Sequence, residues 1–272
     1  MSFLSARAAP SVEHADANGY ARTVCVGSAV GAISVRRTDG AHALLLEASE
    51  SLAAAMPSII PRIRQLLDLD ADPEAIEKHL AESGLAPRER LRAGLRVPGA
   101  FDPFELVIRA ILGQQVSVKG ASTLMSRFTA RFGERIDSGH PALTHLAATS
   151  DRVADASVDD IRAIGMPVAR AATIQRVAQE MANQKIIIAA GEDLERVKAQ
   201  LMALPGIGPW TAEYVAMRAL HWTDAFPASD LVLRRNAGAS TPAQLIRAAE
   251  RWRPWRAYAA MQLWSGINDP KS

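Results

Sequence analysis

Leu204-Pro-Gly-Ile-Gly-Pro-Trp-Thr-Ala212 is the stretch on which the fold turns. Two glycines flank one apolar residue, between a helix-patterned segment ending near Ala203 and another beginning near Pro209. Glycine reaches the positive-φ conformations that so short a reversal needs. Ile207, set between the two glycines, has the character of a core anchor. Pro209 suits a first helical position, where a missing N–H costs nothing. The expected product is a helical hairpin in which the N–H groups of Gly206, Gly208 and the first turn, which includes Thr211, point outward together. Such a nest binds an anion, a backbone phosphate for instance, without any basic side chain. A bare G-x-G is equally an ordinary tight turn between two helices, so the string needs a second signal.

That signal lies 18 residues past Ala212, at Ala228-Ser-Asp-Leu231. Asp230 has the sequence context of a helix N-cap ahead of Leu231-Val-Leu-Arg-Arg. Around these two features the chain reads as helix after helix from about residue 98. Phe104, Val107, Ile108, Ile111 and Leu112 keep helical spacing after an Asp102-Pro103 start. Further helices are expected near 119–132, 157–164, 168–183, 192–203, 210–220 and 242–264, separated by breakers at Gly133, Gly165-Met-Pro167, Pro205 and Pro227.

The first 50 residues have another texture. Tyr20-Ala-Arg-Thr-Val-Cys-Val, Ala32-Ile-Ser-Val-Arg and Ala43-Leu-Leu-Leu-Glu are short β-prone runs parted by Gly27-Ser and Asp39-Gly, the pattern of an antiparallel meander. Two helical stretches follow, Met56 to Leu67 and one opened by Asp72-Pro73. The fold class expected is α+β. A small N-terminal domain over 1–88, an antiparallel sheet with helices, precedes an all-α region over 89–272 that carries the hairpin at 204–212.

Composition excludes several classes. The chain of 272 residues is 49% hydrophobic and 22% charged, an ordinary globular balance. Cys25 is the one cysteine, which excludes an internal disulfide, a Cys-based zinc site and a four-cysteine iron–sulfur cluster. The six histidines show no H-E-x-x-H or H-x-x-E-H spacing, so no catalytic zinc is expected, nor any other cofactor. The first residues, Met1-Ser-Phe-Leu-Ser-Ala-Arg, lack a secretory apolar stretch, and no apolar run is long enough to span a bilayer. A cytoplasmic protein with no membrane partner is expected. A net charge of +2 selects no partner, although 26 of the 31 basic residues are arginine, a good phosphate ligand where well placed. All five tryptophans lie beyond residue 209.

The string L-P-G-I-G-P-W-T-A followed by Asp230 resembles the helix-hairpin-helix DNA glycosylases. Leu95-Arg-Val-Pro-Gly-Ala-Phe-Asp102, Arg109-Ala-Ile-Leu-Gly-Gln-Gln-Val-Ser117, Gly165-Met-Pro and Arg251-Trp-Arg-Pro-Trp-Arg-Ala-Tyr-Ala259 sharpen this. They are similar to the bacterial 3-methyladenine DNA glycosylase II family of the AlkA type. The resemblance covers about 95–264, and Asp68-Leu-Asp-Ala-Asp-Pro73 extends it into the N-terminal part. It implies a monomer that flips alkylated bases such as 3-methyladenine or 7-methylguanine out of double-stranded DNA and hydrolyses the N-glycosidic bond. The rival readings are a helix-hairpin-helix module that only binds DNA, and a glycosylase for deaminated bases.

Under the resemblance Asp230 is the catalytic carboxylate, stabilising positive charge on the deoxyribose and orienting or deprotonating water. Trp210, Tyr214 and Trp264 match the base-pocket aromatics, and the first two stand one helical turn apart. A cationic alkylated purine gains cation–π attraction there that a normal base lacks. Gln114 and Gln115 fall where the family inserts a side chain into the duplex; Gln115 replaces the bulky apolar wedge of some relatives. Gly206, Gly208 and Thr211 are the DNA-binding residues of the hairpin. No lysine occurs from 204 to 218, where strand-cutting relatives place an amine nucleophile, so the reaction expected is monofunctional. A monovalent cation near the carbonyls of Met202, Leu204 and Ile207 is implied by the resemblance and by nothing else.

Three departures bear on substrate breadth. Ser229 replaces a second acidic residue, Leu231 replaces an aromatic of some relatives, and residues 1–17 are short for the family's first strand. The cluster Arg247, Arg251, Arg253, Arg256 with Trp252 and Trp255 reads mainly as structural ion pairing.

Overall fold

A computed structural model describes residues 1–38 and 43–267, so the turn expected at Asp39-Gly lies outside the described residues. Helix α1 (Ser2–Ser5) precedes strands β1 (Glu13–Ala15), β2 (Gly19–Val26), β3 (Ala29–Arg37) and β4 (Leu44–Ala48). Then come α2 (Met56–Leu66), α3 (Pro73–Glu82), α4 (Pro103–Leu112), α5 (Val118–Phe132), α6 (Ser150–Ala154), α7 (Val158–Arg162) and α8 (Val168–Ala182). The chain continues with α9 (Leu194–Met202), α10 (Pro209–Arg218), α11 (Leu231–Asn236), α12 (Pro242–Ala249) and α13 (Arg256–Trp264). The class is α+β, as the sequence pattern implies. No helix among the described residues is long and apolar enough to cross a membrane.

Two compact units result: Met1–Ile63 with Val107–Ile186, and Arg64–Leu106 with Ile187–Ser272. Compactness therefore divides the chain inside α2, inside α4 and after Ile186. The reason is long-range pairing within the first unit. The Thr23 hydroxyl donates to the His145 carbonyl at 2.7 Å, and Ser11 bridges to Leu143, so residues far along the chain are tied to the strand region.

In the first unit the strands form an antiparallel meander in the order β1-β2-β3-β4. Gly27, at φ +62°, makes the two-residue turn between β2 and β3. The register sets Tyr20 opposite Val35 and Arg22 opposite Ile33, so Tyr20, Arg22, Val24, Ile33 and Val35 share one face, all buried. Arg22 is tolerated there because Glu13, its partner across β1 and β2, lies 3.7 Å away. Strand β1 lies outside the β-prone runs, because three residues are too few to show alternation.

The second unit is built on capped helices. Asp72 accepts from the Glu74 and Ala75 amides at the start of α3, Asp193 caps α9, and Thr241 with Gln244 makes a capping box on α12. The helix expected over 242–264 is instead two, α12 and α13, joined through a 3-10 turn at Glu250–Trp252. Pro254 is the cause, since it has no N–H to continue the ladder. The break is secured by Asp224, which is 6% exposed: Arg256 grips its carboxylate through two bonds of 2.7 and 2.8 Å, and Arg253 also bonds it. Glu250 pairs with both arginines. Arg251 donates to the Gly84 carbonyl, and Trp252 is buried. The arginine–tryptophan cluster is thus chiefly a structural clamp.

Candidate active site

The hairpin is formed by the end of α9, the loop 203–208 and the start of α10. Gly206 stands at φ +89°, where a side chain would strain the backbone. Gly208 does not share this need. It has φ −103° and ψ 177°, extended backbone that any residue adopts, and a Cβ there would meet nothing within 4 Å. Ile207 is 6% exposed and ties the loop to the core, with its amide donating to the Leu204 carbonyl at 3.1 Å. Helix α10 opens on Gly208 and Pro209 with no side-chain cap, unlike α9, α11 and α12. An uncapped N-terminus presents amide dipoles to an anion. The Thr211 side chain, by contrast, is 2% exposed. Its position on α10 turns that side chain inward.

Of the carbonyls nominated for a monovalent cation, that of Leu204 already accepts the Ile207 amide and would have to share its second lone pair. Neutral carbonyl oxygens suit a hard cation. Among the described residues, no group of three or more His, Cys, Asp or Glu is placed to hold a metal ion.

Asp230 caps α11. Its Oδ1 accepts from the Val232 and Leu233 amides at 2.9 Å each, and from the Trp264 indole N–H at 3.2 Å. Its Oδ2 accepts from the Trp210 indole N–H at 2.9 Å. Four donors thus fix one half-buried carboxylate and immobilise it. The cap and a chemical role are compatible here: the cap occupies one oxygen and leaves the other with a single partner. The preceding chain is held by Glu213 of α10, which accepts the Phe226 amide at 3.0 Å and pairs with Lys198 of α9 at 2.6 Å.

The three aromatics gather at this carboxylate. Trp210 and Tyr214 are stacked, with centroids 5.1 Å apart and planes within 10°. Tyr214 meets Trp264 edge-on at 6.3 Å. Because the first two rings already touch, no planar base fits between them, and the faces left to a ligand are the outer ones of half-buried Trp210 and Trp264. Tyr214, 7% exposed, backs the wall. Its hydroxyl accepts from Arg218, a buried guanidinium that sequence reasoning passed over. The four-residue spacing 210, 214, 218 was the available signal. Leu231, at 72% exposed, and Ser229 flank Asp230 at the surface.

Gln114 and Gln115 follow the end of α4. The Gln114 carbonyl accepts from Arg170 at 2.8 Å, which pins the loop. Gln115 is exposed on left-handed backbone, φ +57°. Val116 and Val118 beside it are also exposed.

Two family models match the chain: the AlkA N-terminal domain over residues 1–102, and the HhH-GPD superfamily base excision DNA repair protein over 108–255. A protein of Mycobacterium tuberculosis described as a probable bifunctional transcriptional activator/DNA repair enzyme AlkA is 40% identical, over 98% of this chain and 54% of its own length. The chain therefore spans about half of that relative. DNA-3-methyladenine glycosylase 2 of Escherichia coli is 35% identical over 97% of this chain and 91% of its own. The structure of a 3-methyladenine DNA-glycosylase from Archaeoglobus fulgidus superposes with a TM-score of 0.79 at 21% identity, covering 98% of this chain and 93% of the other. That likeness is one of fold.

Proposed function

Because the chain belongs to the HhH-GPD superfamily of base excision DNA repair proteins, we propose that it is a monofunctional DNA glycosylase that removes alkylated bases, chiefly 3-methyladenine and 7-methylguanine, from duplex DNA. The observation that carries this reading is the Asp230 carboxylate, held by two backbone amides and two indoles beside an aromatic wall. As the N-glycosidic bond breaks, positive charge grows on the deoxyribose, and a fixed anion stabilises it without reorganising. An alkylated purine is already cationic and leaves without being protonated, so one carboxylate suffices. The outer indole faces offer that cation a π-surface.

The hairpin amides of Gly206 and Gly208 hold a backbone phosphate, and Gln115 fills the space the flipped base vacates. The lack of lysine from 204 to 218 leaves no amine for strand cutting, and the product is an abasic site. The reading carries with it a monomer acting in the cytoplasm.

The test is to incubate wild type and Asp230→Asn with methylated duplex and to measure free base and alkali-labile sites. Asparagine keeps the cap and loses the charge, so release is expected to fall by about 10²-fold or more. No release by wild type overturns the enzymatic reading, and full activity in the variant overturns the role of Asp230. Strand cleavage without alkali overturns the monofunctional assignment.

A further inference from the structure

Arg218 lies at the C-terminal end of α10 and is 4% exposed. Its Nε donates to the Pro98 carbonyl at 2.7 Å and one terminal nitrogen to the Gly99 carbonyl at 2.8 Å. The other terminal nitrogen donates to the Tyr214 hydroxyl at 2.8 Å. Tyr214 stacks on Trp210 at 5.1 Å, and the Trp210 indole donates to Asp230 Oδ2 at 2.9 Å. Residues 210, 214 and 218 stand one turn apart on a single helix face, so each leans on the next. The row leads from a buried guanidinium to the carboxylate.

We propose that Arg218 is a positioning residue for Asp230, acting through Tyr214 and Trp210. The inference rests on the glycosylase reading for its consequence in catalysis, but not for the geometry. Burying a guanidinium is costly, and a methionine would fill a similar volume without that desolvation. What methionine lacks is the planar fork that joins two carbonyls to a phenol in one fixed plane. Arg218 thereby fixes the hydroxyl end of Tyr214 and, with it, the lean of the ring. The parallel stack passes that orientation to Trp210, and the Trp210 N–H places the free side of the Asp230 carboxylate. A displacement of the carboxylate by a fraction of a hydrogen-bond length is felt in the rate, since catalysis depends on where the charge sits.

Three variants test it: Arg218→Met, Tyr214→Phe and the double substitution. Single-turnover base release from methylated duplex is expected to fall about tenfold in each single variant and no further in the double, with affinity for undamaged duplex unchanged in Arg218→Met. With isotope-labelled tryptophan, the Trp210 indole N–H resonance, assigned by its loss in Trp210→Phe, is expected to shift in Arg218→Met and in Tyr214→Phe. Losses that multiply in the double variant overturn the proposal, and so does a resonance that stays in place. If Arg218→Met does not fold, Tyr214→Phe keeps both readouts: an unmoved resonance or an unchanged rate overturns it. If wild type releases no base, the glycosylase reading falls, and the resonance alone decides whether Arg218 positions Trp210.

Discussion

Trp210 and Trp264 each give an indole N–H to the Asp230 carboxylate, across 20 and 34 residues of sequence. Trp210→Phe removes one donor and keeps the aromatic face. Base release is expected to fall about tenfold, since a hydrogen bond to a charge contributes ~1.5 kcal/mol or more, and unchanged release would show that the bond does not matter to the reaction. His221 makes a second prediction. Burial, reinforced by the Arg218 cation, lowers its pKa from 6.5 to about 4. Between these values the unfolded chain binds the proton that the folded one refuses, so the stabilisation is complete above about pH 6.5 and is lost as pH falls towards 4. The loss amounts to roughly 3 kcal/mol at most. Melting temperature followed from pH 7.5 to 4 should drop more steeply in wild type than in His221→Asn, a residue that tolerates the local φ of +53°. Parallel curves would rule His221 out. Burial raises the pKa of Asp68, which accepts from Tyr258 and the Val97 amide, so it works in the opposite direction. Comparing the two proteins cancels it. None of these partners is visible as a motif, because nothing local requires an indole to meet that particular carboxylate.

The hairpin is the element whose two glycines separate shape from contact. Gly206→Ala must bear a left-handed backbone, and it should lower stability by at least about 1 kcal/mol. Gly208→Ala has neither strain nor a clash within the chain, so its melting temperature should match wild type. If a phosphate approaches the amides of α10, the added methyl stands in its way, and affinity for duplex should fall severalfold by anisotropy titration. Equal affinity would remove the hairpin from the DNA contact. This element was largely legible beforehand. Glycine, proline and an apolar anchor encode a reversal within nine residues, and periodicity located α10 to within a residue or two. The break between α12 and α13 was less so. Apolar spacing continues across Pro254, and what settles the bend is Asp224 gripping Arg253 and Arg256 from about thirty residues earlier.

Across the whole chain a net charge of +2 is small for a protein proposed to bind DNA. Backbone amides can hold a phosphate without adding charge, so few counterions should be released. The slope of log affinity against log salt, titrated between about 50 and 200 mM, is expected to stay below about 3 in magnitude. A steeper slope would point to several arginines on phosphates and away from amide binding. The α+β class, most of the longer helices, the hairpin and the candidacy of Asp230 are encoded locally, in period-two and period-3.6 patterns, turn residues and caps; α6 (Ser150–Ala154), too short to show a period, is not. The two compact units, the stacked Trp210 and Tyr214, the pair of indoles on Asp230 and the buried Arg218 are not. They arise where segments distant in the chain pack and must satisfy each other's polar groups, and which donor meets which acceptor is fixed by three-dimensional proximity, a quantity that spacing along the chain does not carry.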